Sequence, residues 1–295
     1  MKKLATLKYI VALFLFGTNG IVASFITLNS YEIVLTRTFI GTLFLTLIFM
    51  VTRQPLTFGR VWSDSIYLLL SGISMGASWM FLFEAYRQIG VSVATLAYYC
   101  GPVLVMLISP LVFKEKITIV KFFGFWAVLI GIFLVNQTAL ISGQITWGLG
   151  FAMLSAVTYA LMVIFNKKAR TITGLENPMW QLVASFVTVA VFVVFRQGFS
   201  LHIPASNILP VLFLGVVNTG IGCYLYFSSI GELPVQTVAI LGYLEPLSAL
   251  FFSALFLREA LRFVQWIGAG LILGGVGISE LLGFNRSEWV VKPDS

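Results

Sequence analysis

The sequence predicts an all-α integral membrane protein: ten transmembrane helices built as two inverted five-helix repeats, with both termini on the inner side. Three observations carry that expectation. Of 295 residues, 59% are apolar and 10% charged, with a mean hydropathy of +0.99, whereas a soluble domain carries about 25% charge. Apolar runs recur at the length that crosses a hydrocarbon core of about 30 Å. The chain also aligns with itself, without gaps through three helices, at an offset of 144 residues.

The first helix is expected over 9–28, behind Lys2, Lys3 and Lys8. Its basic start and apolar run look like a leader peptide, but no small-x-small cleavage site follows, so it is read as retained. The second, 31–51, carries Arg37. The third, 64–83, holds Ser71, Gly72, Ser74, Gly76 and Ser78, small residues that let helix backbones approach closely in lipid. The fourth, 91–113, contains Tyr98, Tyr99, Gly101 and Pro102. The fifth, 118–135, is glycine-containing. The sixth covers 145–165 and the seventh 178–195, with Gln181 near its start. The eighth, 207–229, repeats the small-residue pattern of the third and adds Asn218. The ninth, 234–257, contains Gly242, Tyr243, Glu245 and Pro246, and the tenth covers 263–282. This divides the chain into repeats at 1–140 and 141–285, with a tail at 286–295.

Charge placement orients the bundle. The segments on the far side from the termini hold Arg87, Arg196, Arg258 and Arg262, and Arg37 lies within a helix. The other thirteen of the eighteen lysines and arginines fall on the side of the termini, which places both termini in the cytoplasm. The net charge of +7 therefore speaks for topology and contact with anionic headgroups rather than for nucleic acid.

In the self-alignment Gly101-Pro102 falls on Glu245-Pro246, Tyr99 on Tyr243, Phe83 on Phe227, Glu32 on Glu176 and Lys114-Glu115 on Arg258-Glu259. Gly76, Gly124 and Gly131 fall on Gly220, Gly268 and Gly275. Five helices per unit is an odd number, so the second unit enters the membrane opposite to the first, an arrangement that places a site near the midplane between halves. Each proline removes a helix hydrogen bond and crowds the carbonyl four residues earlier, at Tyr98 and Gly242. Pro102, Pro246, Gly101 and Gly242 are accordingly the expected hinges.

These residues resemble a known family, the ten-helix members of the drug/metabolite transporter superfamily of the EamA type. The resemblance covers nearly the whole chain and rests on the helix count, Phe16-Gly17, Arg37, Tyr99-x-x-Pro102, Tyr243-x-x-Pro246, and the Lys114-Glu115 and Arg258-Glu259 pairs with a glycine-rich helix after each. It implies alternating-access secondary transport of small metabolites, often amino acids or their derivatives, through a central cavity lined by the first four helices of each half. Glu245 departs from the pattern, since a carboxylate directly before that proline is not expected throughout the family.

A charge inside a membrane helix is costly and by default functional. Glu245, about eleven residues into its span, sits near the midplane at about 1.5 Å per residue. It is expected to hold a substrate ammonium or a coupling proton, with Arg37 as carboxylate partner. Tyr99 and Tyr243 offer stacking surfaces, and Tyr98, Asn19, Trp79, Asn218 and Gln181 complete the expected wall. Tyr9, Tyr31, Trp62, Trp147 and Trp180 read as interfacial belt residues, and Glu84 and Arg87 as solvated or headgroup charges. His202 sits in a loop, no carboxylate pair or His/Cys cluster has ligand spacing, and no phosphate-cradling Gly-Lys-Ser loop exists. No catalytic residue, metal or cofactor is therefore expected. The expected partners are a small-molecule substrate, a coupling proton or sodium ion, and membrane lipid, in a bacterial inner membrane. The alternative is an integral-membrane enzyme or flippase acting on a lipid-linked or nucleotide-linked substrate.

Overall fold

A computed structural model describes residues 2–89, 94, 97–114, 118–141, 147–198, 203–256 and 263–287. Glu115, Lys116, His202, Arg258, Glu259, Arg262 and residues 288–295 of the tail lie outside them. The described residues form helices and the connections between them, with no strand among them. In chain order the elements are α1 (Lys3–Ser24), α2 (Ser30–Thr52), α3 (Trp62–Ile89), α4 (Cys100–Phe113), α5 (Ile119–Ile141), α6 (Trp147–Lys168), α7 (Glu176–Gln197), α8 (Ala205–Ile230), α9 (Val235–Phe256) and α10 (Phe263–Ser287). Seven helices, α1 to α3 and α6 to α9, are long and apolar enough to cross a membrane. The shorter apolar stretches Cys100–Phe113, Phe122–Gly131 and Trp266–Val276 lie where the fourth, fifth and tenth spans are expected.

Local chemistry explains several boundaries. Asn29 and Glu32 form a capping box: the Asn29 side chain accepts from the Tyr31 and Glu32 amides at 3.0 Å, and Glu32 accepts from the Asn29 amide at 2.9 Å. Two orphan amides of the first turn are satisfied reciprocally. Arg53 (φ 48°) and Lys114 (φ 56°) end α2 and α4 in the left-handed conformation that unwinds a helix terminus. α3 runs past the expected end at 83 because Glu84 and Arg87 belong to its last turns and are held by neighbours.

α3 packs between α6 and α7, α8 packs between α1 and α2, and α5 pairs with α10. Under the 144-residue offset the first two groupings exchange. The α5–α10 contact has the same property at atomic detail. A Cβ added to Gly131 would lie 2.6 Å from the Gly268 carbonyl oxygen, and one added to Gly275 would lie 2.5 Å from that of Gly124. Nothing larger than hydrogen fits at either position, and the two contacts are offset copies of each other.

Cross-chain bonds define two faces. On the basic face, the Glu176 carboxylate accepts from the Thr57 and Phe58 amides at 2.7–3.0 Å and from the Thr57 hydroxyl. Asp64 accepts from the Thr171 amide at 2.8 Å, and Lys167 donates to the carbonyls of Ile230 and Leu233. Phe58 stacks on Trp180 at 4.2 Å, so Trp180 packs inside a connection rather than standing in a belt. On the far face, Glu84 accepts from Tyr31 and Gln88 and pairs with Arg87 (3.5 Å) and Arg196 (3.8 Å). This corrects the solvated reading of Glu84, which is 9% exposed. Tyr9 and Tyr31 are likewise interior rather than interfacial, Tyr9 donating to the Val238 carbonyl at 3.0 Å. Trp62 and Trp147 are exposed.

Candidate functional site

Four helices lose regular geometry at the centre of the bundle. α1 breaks at Thr18, whose hydroxyl donates to the Leu15 carbonyl at 2.7 Å. α4 begins after a turn at Tyr99, and α9 is interrupted at Gly242 and Tyr243. α8 widens to a π-helix over Leu214–Ile221, a form that recurs at functional sites. Irregular backbone at membrane depth is tolerated where protein or cavity water satisfies the freed groups.

Pro102 and Pro246 are each the third residue of the segment that follows a break. An amide of a first helical turn has no intrahelical partner, so proline costs nothing there. The break therefore lies upstream of the proline rather than at a kink around it. The Gly242 carbonyl accepts from the Glu245 amide at 3.2 Å. Pro110, which sequence reasoning passed over, lies inside α4. The Met106 carbonyl it deprives accepts instead from the Ser109 hydroxyl at 3.1 Å.

Between these breaks lies a cavity whose wall includes Asn19, Arg37, Trp79, Tyr98 and Glu245. Arg37 is 8% exposed. Its Nε donates to the Thr219 hydroxyl at 2.9 Å, its Nη2 reaches Asn19 Oδ1 at 3.5 Å, and the guanidinium stands 4.9 Å over the Trp79 ring. Thr219 in turn donates to the Leu214 carbonyl at 2.9 Å within the π-helix, so the widened turn fixes the group that aims Arg37. Asn218 Nδ2 lies 2.8–2.9 Å from the Leu15 carbonyl, the Thr18 hydroxyl and Asn19 Oδ1, joining α8 to the break in α1. Glu245 shares the cavity with Arg37. Among the described residues its carboxylate forms no ion pair within 4 Å. Two opposite charges thus face one space without closing on each other.

The cavity continues towards the far face through a wider space, which keeps Asn19, Arg37, Trp79, Tyr98 and Glu245 and adds Tyr99, Phe83 and Arg87. Towards the basic face it is capped by aromatic side chains. The Tyr159 and Tyr226 hydroxyls lie 3.2 Å apart, and the Tyr9 ring lies 4.9 Å from that of Tyr226.

The structure therefore brings Glu245, Arg37, Asn19, Trp79 and Tyr98 to one wall, Tyr99 to its outward extension and Asn218 behind Asn19. Tyr243 and Gln181 are elsewhere. Tyr243 is fully buried and donates to the Tyr99 carbonyl at 3.0 Å, binding the two offset-matched segments together. Gln181 is fully buried in the α3–α7 contact, donating to Ser71 at 2.6 Å. Gly101 packs so closely that a Cβ would lie 2.6 Å from the Tyr159 ring. Cys223, Tyr226 and Phe227 also line the cavity. They stand four, seven and eight residues beyond Thr219, one helical face, and that spacing was the available signal.

The EamA-like transporter family model matches this chain twice, over residues 3–137 and 146–280. The chain belongs to the EamA-like transporter family. It is a multi-pass membrane protein, and the two matches coincide with the two halves of the offset alignment. It is similar to "Uncharacterized transporter YxxF" of Bacillus subtilis (strain 168), 24% identical over 283 residues, covering 94% of this chain and 90% of that protein. It is 25% identical over 245 residues to "Uncharacterized transporter YoaV" of the same organism, covering 81% and 83%. To "Protein PecM" of Dickeya dadantii (strain 3937) it is 23% identical over 229 residues, covering 76% of each. A solved crystal structure superposes with a TM-score of 0.81 at 19% identity, covering 94% of this chain and 98% of that one, a likeness of fold.

Proposed function

We propose that the protein is an alternating-access secondary carrier of a small zwitterionic or cationic organic solute such as an amino acid. In this reading it has ten spans in two inverted halves, both termini cytoplasmic, in a bacterial inner membrane. The observation that carries the substrate class is the pair Arg37 and Glu245, opposite charges on one cavity wall with no ion pair between them. A carboxylate suits the remaining donors of Arg37 and an ammonium suits Glu245. The inversion is supported by contacts that exchange under the offset, Gly131 on Gly268 with Gly275 on Gly124. Transport is supported by the family and by relatives that carry the name transporter. A coupling proton or sodium ion would share Glu245.

Reconstitution in proteoliposomes tests the reading. Amino acids are expected to raise the melting temperature with concentration and to cross the membrane only with protein present. Binding of neutral or anionic metabolites with none of amino acids would overturn the substrate class. The double variant Pro102→Ala, Pro246→Ala removes the residues that forbid a continuous helix across each break. Its turnover is expected to fall about tenfold while solute affinity stays within about twofold, as when a conformational step limits the rate. Unchanged flux would remove both prolines as hinges.

A further inference from the structure

A third space opens on the basic face. Its wall is made by Lys8 of α1, Arg170 after α6, Tyr224, Phe227 and Ser228 of α8, and Glu232. Lys8 Nζ stands 5.8 Å over the Tyr224 ring; Lys8 is half-buried and Arg170 is exposed. Among the described residues Phe227 alone lines both this space and the central cavity. It is 3% exposed, and its ring stands edge-on to Tyr226 at 5.0 Å. Phe227 therefore stands between the two compartments, beside the tyrosine cap of the central cavity. Its offset mate, Phe83, lines the open space on the far face, with its ring edge-on to Tyr86 at 5.2 Å. The same position of the repeat thus stands at an open mouth in one half and at a closed one in the other.

We propose that the basic-face space is a second compartment for the transported solute, taking its carboxylate between Lys8 and Arg170, and that Phe227 is the partition between it and the central cavity. The solute class rests on the reading above; the partition does not. Lys8, Lys167 and Arg170 carry three positive charges against one negative charge from Glu232, so the wall favours an anionic group. An aromatic side chain packed edge-on against a second ring can leave the path by a rotamer change once its neighbour moves.

Cys223 lines the central cavity four residues before Phe227, and the chain's other cysteine is Cys100. In a Cys100→Ser background, a membrane-impermeant thiol reagent applied to the basic face is expected to reach Cys223 slowly. Phe227→Ala should speed that labelling about tenfold, while Phe227→Leu, which still fills the gap, should leave it within about twofold. A Ser228→Cys probe in a Cys100→Ser, Cys223→Ser background reports the compartment itself, and its protection by an amino acid shows that the Phe227 variants are folded. It should label from the basic face with each Phe227 side chain. An amino acid should slow its labelling, and Lys8→Gln with Arg170→Gln should abolish that protection. Basic-face labelling of Cys223 that is unchanged in Phe227→Ala while Ser228→Cys reacts would overturn the partition. Ser228→Cys labelling indifferent to amino acids that bind the wild type would overturn the second compartment. If instead no amino acid binds the wild type, the substrate class fails while the response of Cys223 to Phe227→Ala still stands.

Discussion

Glu245→Gln is expected to weaken binding of zwitterionic and cationic solutes by about 30-fold or more while leaving the fold intact. The exchange keeps the shape of the side chain and removes its charge. Losing one partner of a desolvated charge pair costs about 2–5 kcal/mol, and each 1.4 kcal/mol is about tenfold in affinity. Arg37→Gln should produce a loss of the same order for solutes that carry a carboxylate, and a smaller one for amines without it. That contrast separates the two poles of the cavity. Titration by thermal shift measures affinity, and counterflow in proteoliposomes measures movement. Should Glu245→Gln bind and move such solutes like the wild type, with the wild-type pH profile, neither an ammonium site nor a coupling site exists at Glu245. Intact binding with a flattened pH profile would assign the carboxylate to the coupling ion.

The second large effect concerns stability. Glu176 is 3% exposed, and its carboxylate satisfies the Thr57 and Phe58 amides and the Thr57 hydroxyl from a connection more than one hundred residues away in sequence. Glu176→Ala leaves those part-buried amides without their acceptors, at up to about 1–3 kcal/mol each. With about 2–4 °C per kcal/mol for a chain of this size, a fall in melting temperature of about 10 °C is expected. Glu32→Ala, at the offset-matched position, removes an exposed capping interaction worth about 1 kcal/mol and should lower it by about 2–4 °C. Equal shifts in the two variants would show that the Glu176 bonds do not hold the halves together.

That contrast also marks how far the sequence could be read. Hydropathy located the long helices because a spanning segment declares itself by length alone. The offset alignment located the helix breaks to within a turn, because proline is confined to few helical positions. It did not separate a kink from a fresh helix start, which depends on whether the preceding residues unwind. Arg37, Asn19, Trp79, Tyr98 and Glu245 were legible as polar or aromatic groups at mid-span, and they share one wall. Gln181 carried the same signal and lies elsewhere, because a mid-span amide can equally serve a helix contact, here through Ser71. Glu32 and Glu176 align in the repeat yet do different work. The partners of Glu176 come from a connection whose course no local pattern encodes. Glu84 read as solvated for the same reason, its partners Tyr31 and Arg196 being distant in sequence.

The Asn218 side chain, wedged into the break of α1, has a mechanical consequence. It pins α1 to α8 at one level, within 2.8–2.9 Å of three acceptors. Two rods riveted at mid-length cannot slide past one another without shearing the rivet; they can only scissor. From Asn218 to the end of α8 at Ile230 is about 18 Å at 1.5 Å per residue. A scissoring angle of about 15° therefore swings that end by about 5 Å, enough to admit a small solute, while atoms at the rivet stay nearly still. Arg37, held by the neighbouring Thr219, sits beside this fulcrum, so the mouths of the bundle can travel while Arg37 does not.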